Sequence, residues 1–177
     1  YPDPARIVVI EADTRALPSA YAATGAVLDV RAESRTITSI AQVEGRDASL
    51  EIGGVMERVA SARVTDDFLP LLGATPPALG RTLVRSEDAH GIVVRGVVIS
   101  HELWQNRLGG DPQVVGRHIT VNNYDVQVVG VMRPGFRLVL PAASHAEERI
   151  DVWLPSNAGP GSLYRGMPMV GRLAPGV

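Results

Sequence analysis

Residues 98–136 read VISHELWQNRLGGDPQVVGRHITVNNYDVQVVGVMRPGF, and the residue types mark each change of backbone direction. Ser100 precedes a short apolar-periodic run, where its hydroxyl can accept from an orphan N–H of a helix's first turn. Glu102 stands near the positive end of that helix, Leu103, Trp104 and Leu108 supply its inward side, and Gly109-Gly110 stops it. Asp111-Pro112 opens a single turn, with proline at a first position where its missing N–H costs nothing, and Gly116 ends that turn. Residues 117–132 predict a hairpin about Asn122-Asn123, a pair that tolerates the positive φ of a two-residue loop. Tyr124, Val126 and Val128 alternate with Asp125 and Gln127. From Val129 the run is apolar on both faces, which predicts a covered second half, and Pro134-Gly135 closes it.

Outward from this block the pattern is mostly strand. Upstream lies a buried strand at 93–99, and downstream are short strands at 151–154 and 167–173. Further upstream, residues 6–11 form a β-branched run, and strand-like stretches at 36–44, 48–52 and 56–64 are expected to break at Gly45 and Gly53-Gly54. Ser19 can cap a helix over residues 20–33, thin on its apolar side and weakened by Gly25. Thr65 is positioned to cap a second, shorter helix, with Asp66 and Asp67 in its first turn, Phe68, Leu69 and Leu72 buried, and Gly73 at a left-handed end. Residues 74–92, 144–149 and 159–161 read as loops. Strands dominate, helices are short, and no βαβ repeat supports a doubly wound sheet, so the class is α+β.

Composition narrows the functions. The 177 residues make one ordinary domain or two small subdomains. A net charge of -2 offers no basic field for nucleic acid or an anionic membrane surface. All 17 cationic side chains are arginine, a bias that GC-rich coding explains. Cysteine is absent, which removes disulfides, thiolate metal sites and thiol nucleophiles together. No apolar run approaches the roughly 18 residues of a membrane-spanning helix. Tyr1-Pro2-Asp3-Pro4 opens like the middle of a linker rather than a signal peptide.

A search for chemistry returns scaffold. His90, His101, His118 and His145 lack the spacing of a helical ligand pair, and His101-Glu102 is followed by no second histidine that would complete a zinc motif. Ser100 beside His101 invites a nucleophile reading, yet neighbours at a helix start do not face each other and no glycine elbow surrounds the serine. The carboxylate pairs Glu87-Asp88 and Glu147-Glu148 sit in polar loops. Gly159-Pro160-Gly161 lacks the Lys-Ser/Thr of a phosphate loop. Trp104 and Trp153 are expected as core anchors. These residues imply no cofactor, no metal and no catalytic constellation.

With those roles assigned, residues 98–136 closely resemble the MacB-like periplasmic core domain of ABC-transporter permeases, within the FtsX-like permease family. They are most similar to the duplicated permeases of acidobacteria. Other blocks agree in order: YPDPARIVV (1–9), LDVRAESRTITSIA (28–41), ERVASARVTDDFLPLLGATPPALGRTL (57–83), DVWLP (151–155) and GRLAPGV (171–177). The residues that carry the resemblance are the caps, turns and anchors already assigned: Ser100, Trp104, Gly109, Gly110, Asp111, Pro112, Gly116 and Gly130.

The resemblance implies a membrane-proximal, porter-like mixed αβ subdomain at 1–64 and 163–177, with an inserted β-rich, sabre-like subdomain at 65–162. In relatives the chain continues past the equivalent of Gly176-Val177, so the porter-like part is expected to be incomplete. It further implies a place on the periplasmic face of the bacterial inner membrane, attached to the permease's transmembrane helices. A second permease copy, a cytoplasmic ATPase acting indirectly and a periplasmic adaptor are the implied partners, and nucleic acid is not one. The implied function is mechanotransmission, in which ATP use in the cytoplasm moves the external domains to export or release a periplasmic substrate. A freestanding extracytoplasmic ligand-binding or adhesion module is the alternative, and a hydrolase using Glu87, Asp88 or His101 a more distant one. The resemblance also places strands 6–11 and 167–173 in the porter-like part, and since both flanks must return to one bilayer and each short strand needs a partner, they are expected in one sheet.

Overall fold

The computed structural model describes residues 3–10, 33–74, 76–83, 96–138, 147–156 and 169–177. Among them the strands are β1 (Ile7–Ile10), β2 (Ile37–Ile52), β3 (Val55–Val64), β4 (Leu79–Gly80), β5 (Gly96–Ile99), β6 (His118–Val121), β7 (Tyr124–Val131), β8 (Val152–Pro155) and β9 (Met169–Leu173). The helices are α1 (Phe68–Leu71) and α2 (His101–Arg107), after a 3-10 turn at Pro4–Arg6. The class is α+β, with a large mixed sheet and little helix.

Strands run in the order β1-β9-β2-β3-β8-β5-β7-β4, and β6 pairs with both β7 and β2. That last pairing closes a ring. From β2 the ladders pass to β3, β8, β5, β7 and β6, and Leu50 opposite Val121 returns the path to β2. Side chains sort by parity, as a pleated strand requires. Ala48, Leu50, Val59, Val97, Ile99, Val126, Val128 and Val152 share the inner cluster, where β-branched side chains fill a small barrel. The alternate residues Val43, Ala62, Val64, Val98, Val129 and Trp153 form the outer cluster with α1.

The terminal strands lie beside this barrel. β1 pairs antiparallel with β9 from Ile7↔Arg172 to Ile10↔Met169, and β9 pairs with the first part of β2 from Ile37↔Leu173 to Gln42↔Met169. Strands separated by most of the chain thus share a sheet. From Val43 onward β2 changes partner and runs ten pairs with β3. The break expected at Gly45 does not occur: one strand of 16 residues passes through it. Gly45 lies opposite Ala62 inside an uninterrupted ladder, so cross-strand pairing overrides a local weakness. The reversal at Gly53-Gly54 is present, with φ of 59° and 82°.

Thr65 does not cap α1. Its Oγ1 accepts from the Gln42 N–H at 3.0 Å and its N–H donates to the Gln42 carbonyl at 3.1 Å, so the hydroxyl extends the β2–β3 ladder. Asp67 is the residue before α1, with no side-chain cap. The other end is as expected: Gly73 has φ 71°, Gly73 N–H donates to Pro70 and Ala74 N–H to Leu69, which is a Schellman closure.

The helix expected over 20–33 lies outside the described residues except for Glu33, and residues 93–95 of the upstream strand are outside as well. The boundary expected at 64/65 is crossed by hydrogen bonds and by packing. β3 pairs in parallel with β8, and the outer cluster joins Ala41 and Val170 of the terminal sheet to Phe68, Val98 and Trp153. Within β2 the paired strand passes from β9, up to Gln42, to β3, from Val43 onward.

Candidate functional site

Ser100, Glu102, Leu103, Trp104 and Leu108, singled out in the sequence, come together in and just around α2. Ser100 Oγ accepts from Leu103 N–H at 2.9 Å and caps α2. Glu102 Oε1 accepts from Gly135 N–H at 3.1 Å, which ties the 134–135 turn to the helix start. Leu103 is buried, and Trp104 and Leu108 pack half-buried against the inner cluster, so α2 seals one end of the barrel. Trp104 is therefore less buried than expected, because its indole N–H reaches out to the Asp111 carbonyl at 2.8 Å. Trp153, 1% exposed, takes the fully buried place and meets Phe136 edge-on.

The turn residues act through backbone geometry. Asp111 Oδ1 accepts from Gln113 N–H and its carbonyl from Val114 N–H, so Asp111-Pro112 makes a tight turn. Gly109, Gly110 and Gly116 all have positive φ. Gly130 serves a different need. It lies opposite Gly80, and a Cβ there would stand 2.1 Å from the Arg81 carbonyl oxygen, while one on Gly80 would stand 2.3 Å from the Val129 carbonyl. β4 and β7 approach so closely that neither position has room for a side chain. Gly80 was missed as a close-approach glycine, although Gly80-Arg81 stands near the end of the quoted 57–83 block.

Among the described residues no three His, Asp or Glu side chains stand close enough to hold a metal ion. Ser100 Oγ is 3.5 Å from Asp151 Oδ1, and His101 lies edge-on to Trp104 rather than toward the serine. Glu147 and Glu148 are exposed, with Glu148 3.9 Å from Arg137. Glu87, Asp88, His90, His145 and Gly159–161 lie outside the described residues. His118 Nδ1 pairs with Asp125 Oδ2 at 2.6 Å on the outside of the β6–β7 hairpin.

Charge is concentrated along the β2–β3 hairpin. Arg46 bonds Glu44 at 2.9 Å, Arg58 bonds Asp47, and Arg107 of α2 bonds Glu57. Hydrogen bonding to Glu44, then its charge, raises the Arg46 guanidinium above its ordinary pKa, and Asp47 does the same for Arg58. Both stay cationic at every physiological pH. At the hairpin tip Val55 is 61% exposed and Met56 43%.

A second feature went unnoticed in the sequence, the inward-facing Arg63 at the other end of the barrel. The alternation in β3, where Ala60, Ala62 and Val64 face the outer cluster, places Val59 and Arg63 on the inner face. Parity was the available signal.

With the geometry in place, comparison with known proteins gives a consistent answer. The model of the MacB-like periplasmic core domain family matches residues 1–170. The periplasmic region of MacB from Actinobacillus actinomycetemcomitans superposes with a TM-score of 0.64 at 11% identity, covering 97% of this chain and 74% of that one. The extracellular domain of the noncanonic ABC-type transporter YknZ from Gram-positive bacteria gives 0.64 at 12%, over 96% and 83%. A domain of a putative permease protein from Porphyromonas gingivalis gives 0.57 at 15%, over 90% and 64%. At these identities the structures establish a shared fold. No curated protein matches the sequence.

Proposed function

Because the chain belongs to the family of MacB-like periplasmic core domains, the external part of ABC-transporter permeases, we propose that it is a mechanical coupling element. In this reading cytoplasmic ATP use displaces the permease's membrane helices, and the domain carries that displacement outward to move or release a periplasmic substrate. The family is one of transporter permease domains rather than of enzymes. Its setting supplies transmembrane helices and an ATPase as partners, and a second permease copy and a periplasmic adaptor complete the proposal.

The observation that carries the reading is β2. Its 16 residues span about 50 Å at the ordinary strand rise, from the ladder shared with the terminal strands to the tip of the barrel. A displacement applied at Ile37–Gln42 enters the barrel through one unbroken backbone rather than through a linker. A Gly-rich connection in the same place would dissipate it. Two cross-ties brace the junction: Thr65 on Gln42, and Arg172 Nε of β9 on the Leu71 carbonyl at 2.6 Å. The sequence division into 1–64 with 163–177 and 65–162 enters the proposal in altered form, with the input end defined by the ladder of β1, β9 and the start of β2.

The test uses the full permease assembled with its ATPase. This domain has no cysteine, so once any cysteines in the rest of the permease and the ATPase are replaced, a spin label on Met56→Cys marks the barrel tip alone. The distance distribution between the labels of two copies should shift between the nucleotide-free and ATP-trapped states. An identical distribution in both states would sink the lever reading.

A further inference from the structure

We propose that the open mouth of the barrel is a binding site for a small amphiphilic carboxylate, with Arg63 as its anchor. This assignment goes beyond the coupling role and does not depend on it. The end of the barrel away from α2 opens between the β6–β7 turn and the ends of β3 and β8. The cavity there has a volume of about 270 Å³. Its walls are the inward-facing Val97, Val121, Val126 and Leu154, and Arg63, Asn122 and Tyr124 stand at its rim.

Arg63 is what makes the cavity more than a gap in packing. It is half-buried, and among the described residues its guanidinium has no hydrogen-bond or ion-pair partner. Arg35, Arg117, Arg133 and Arg149 also lack one, but all four are exposed and solvated. A guanidinium taken partly out of water with nothing to donate to is costly, and a planar anion repays that cost. Glu44 is its cross-strand neighbour and on the same face, yet the Glu44 carboxylate is held by Arg46 at 2.9 Å. Arg46 thus keeps the mouth's cation available.

The chemistry of the walls sets the ligand class. A carboxylate presents two oxygens in the spacing of the guanidinium fork. Asn122 spends its Oδ1 on the Ser49 N–H at 2.9 Å, which leaves its amide nitrogen as a second donor at the rim. Behind them Val97, Val121 and Val126 are already buried, so the apolar surface open to a ligand is that of the half-buried Leu154 and Pro155, which fits a short aliphatic body beside the polar rim. Mouths of β-barrels are ordinary ligand sites, and this volume sits just under the range of about 300–1,000 Å³ for drug-sized ligands, so the occupant is small.

Octanoate is the probe, with octanamide as its uncharged counterpart and acetate as the anion without a tail. Each is titrated into the 177-residue chain by methyl and arginine Nε–H NMR. Octanoate should saturate, shifting the Arg63 Nε–H together with the Leu154 methyls. Octanamide and acetate should each bind more than about tenfold more weakly, the scale of a charge-assisted hydrogen bond or of a buried alkyl chain. Arg63→Gln should lose octanoate while keeping its thermal midpoint. Arg46→Ala, which frees Glu44 to occupy Arg63, should weaken binding without touching the cavity. Absence of saturation, equal affinity for octanoate and octanamide, or unchanged octanoate affinity in both variants would overturn the assignment.

Discussion

The two halves of β2 live in different structures. Residues 37–42 belong to a ladder with β9, in which the register slips between Ile37 and Ser39 and β1, whose four residues are only half-buried, is the last strand among the described residues. Residues 43–52 pair without interruption along β3, inside a ring that the Leu50–Val121 pair closes. An open ladder can twist or slide at small cost, whereas a closed ring must break hydrogen bonds to change shape. One strand therefore carries a compliant end and a stiff end. Under the proposed coupling role, a displacement of the first part would reach the ring through the junction that Thr65 and Gln42 brace.

The comparison breaks if the two regions fold independently, and Trp153 tests that most severely. It sits in the outer cluster with Ala62 and Val98 of the barrel, in a cluster that also holds Ala41 and Val170 of the terminal ladder. Trp153→Ala should cost about 3 kcal/mol, the low end for a large core aromatic. The low end applies because its indole Nε1 is buried without a partner, so truncation also removes an unsatisfied donor. Denaturation followed by far-UV dichroism and by Trp104 fluorescence should give one shared, lowered midpoint. Two separated midpoints, with the terminal ladder unchanged, would make the halves separate units.

A smaller effect sharpens the claim that the barrel is stiff. Gly130→Ala drives a Cβ into the backbone carbonyl of Arg81, which cannot rotate away, so strands β4 and β7 must part. A loss of about 2–3 kcal/mol is expected, the upper range of overpacking. Gly96→Ala meets the Val129 side chain at 2.7 Å instead, and a valine can shift. Its cost should stay near 1 kcal/mol, at the lower edge of the same range. Equal midpoints for the two variants in urea melts would mean that the β4–β7 seam is soft.

What the sequence revealed follows from the range of the interactions. Ser100, Gly73, the glycine pair at 53–54 and the asparagine pair at 122–123 act within a few residues, and each stands where local reasoning puts it. The α+β class and the family could be read for the same reason, since caps and turns carry both. Non-local pairing was hidden. Gly45 looked like a break because its partner Ala62 is remote in sequence, and Thr65 looked like a cap because Gln42 is 23 residues away. The ring closure rests on a single pair, Leu50 and Val121, that no periodicity announces. Arg63 faces inward by parity, but only the closed ring gives that face an inside.

The smallest expected effect belongs to Ser100, and it tests whether α2 is a firm lid on the barrel. Its hydroxyl satisfies one N–H, that of Leu103, and its 3.5 Å approach to Asp151 Oδ1 is too long to add much. α2 has only seven residues, so it owes its existence to packing of Leu103, Trp104 and Leu108 rather than to helix propensity. Loss of the cap in Ser100→Ala should therefore cost about 1 kcal/mol, the usual size for a capping serine. For a chain of this length that is a fall of about 2–4 °C in Tm. Ser100→Asp keeps an acceptor at the same atom position and adds charge at the helix's positive end, so it should recover part of the loss. Burial works against the aspartate, since Ser100 is 4% exposed, as does the Asp151 carboxylate 3.5 Å from the serine hydroxyl, and full recovery is not expected. If alanine is as stable as serine, the cap contributes nothing, and the lid is held by its apolar side chains alone.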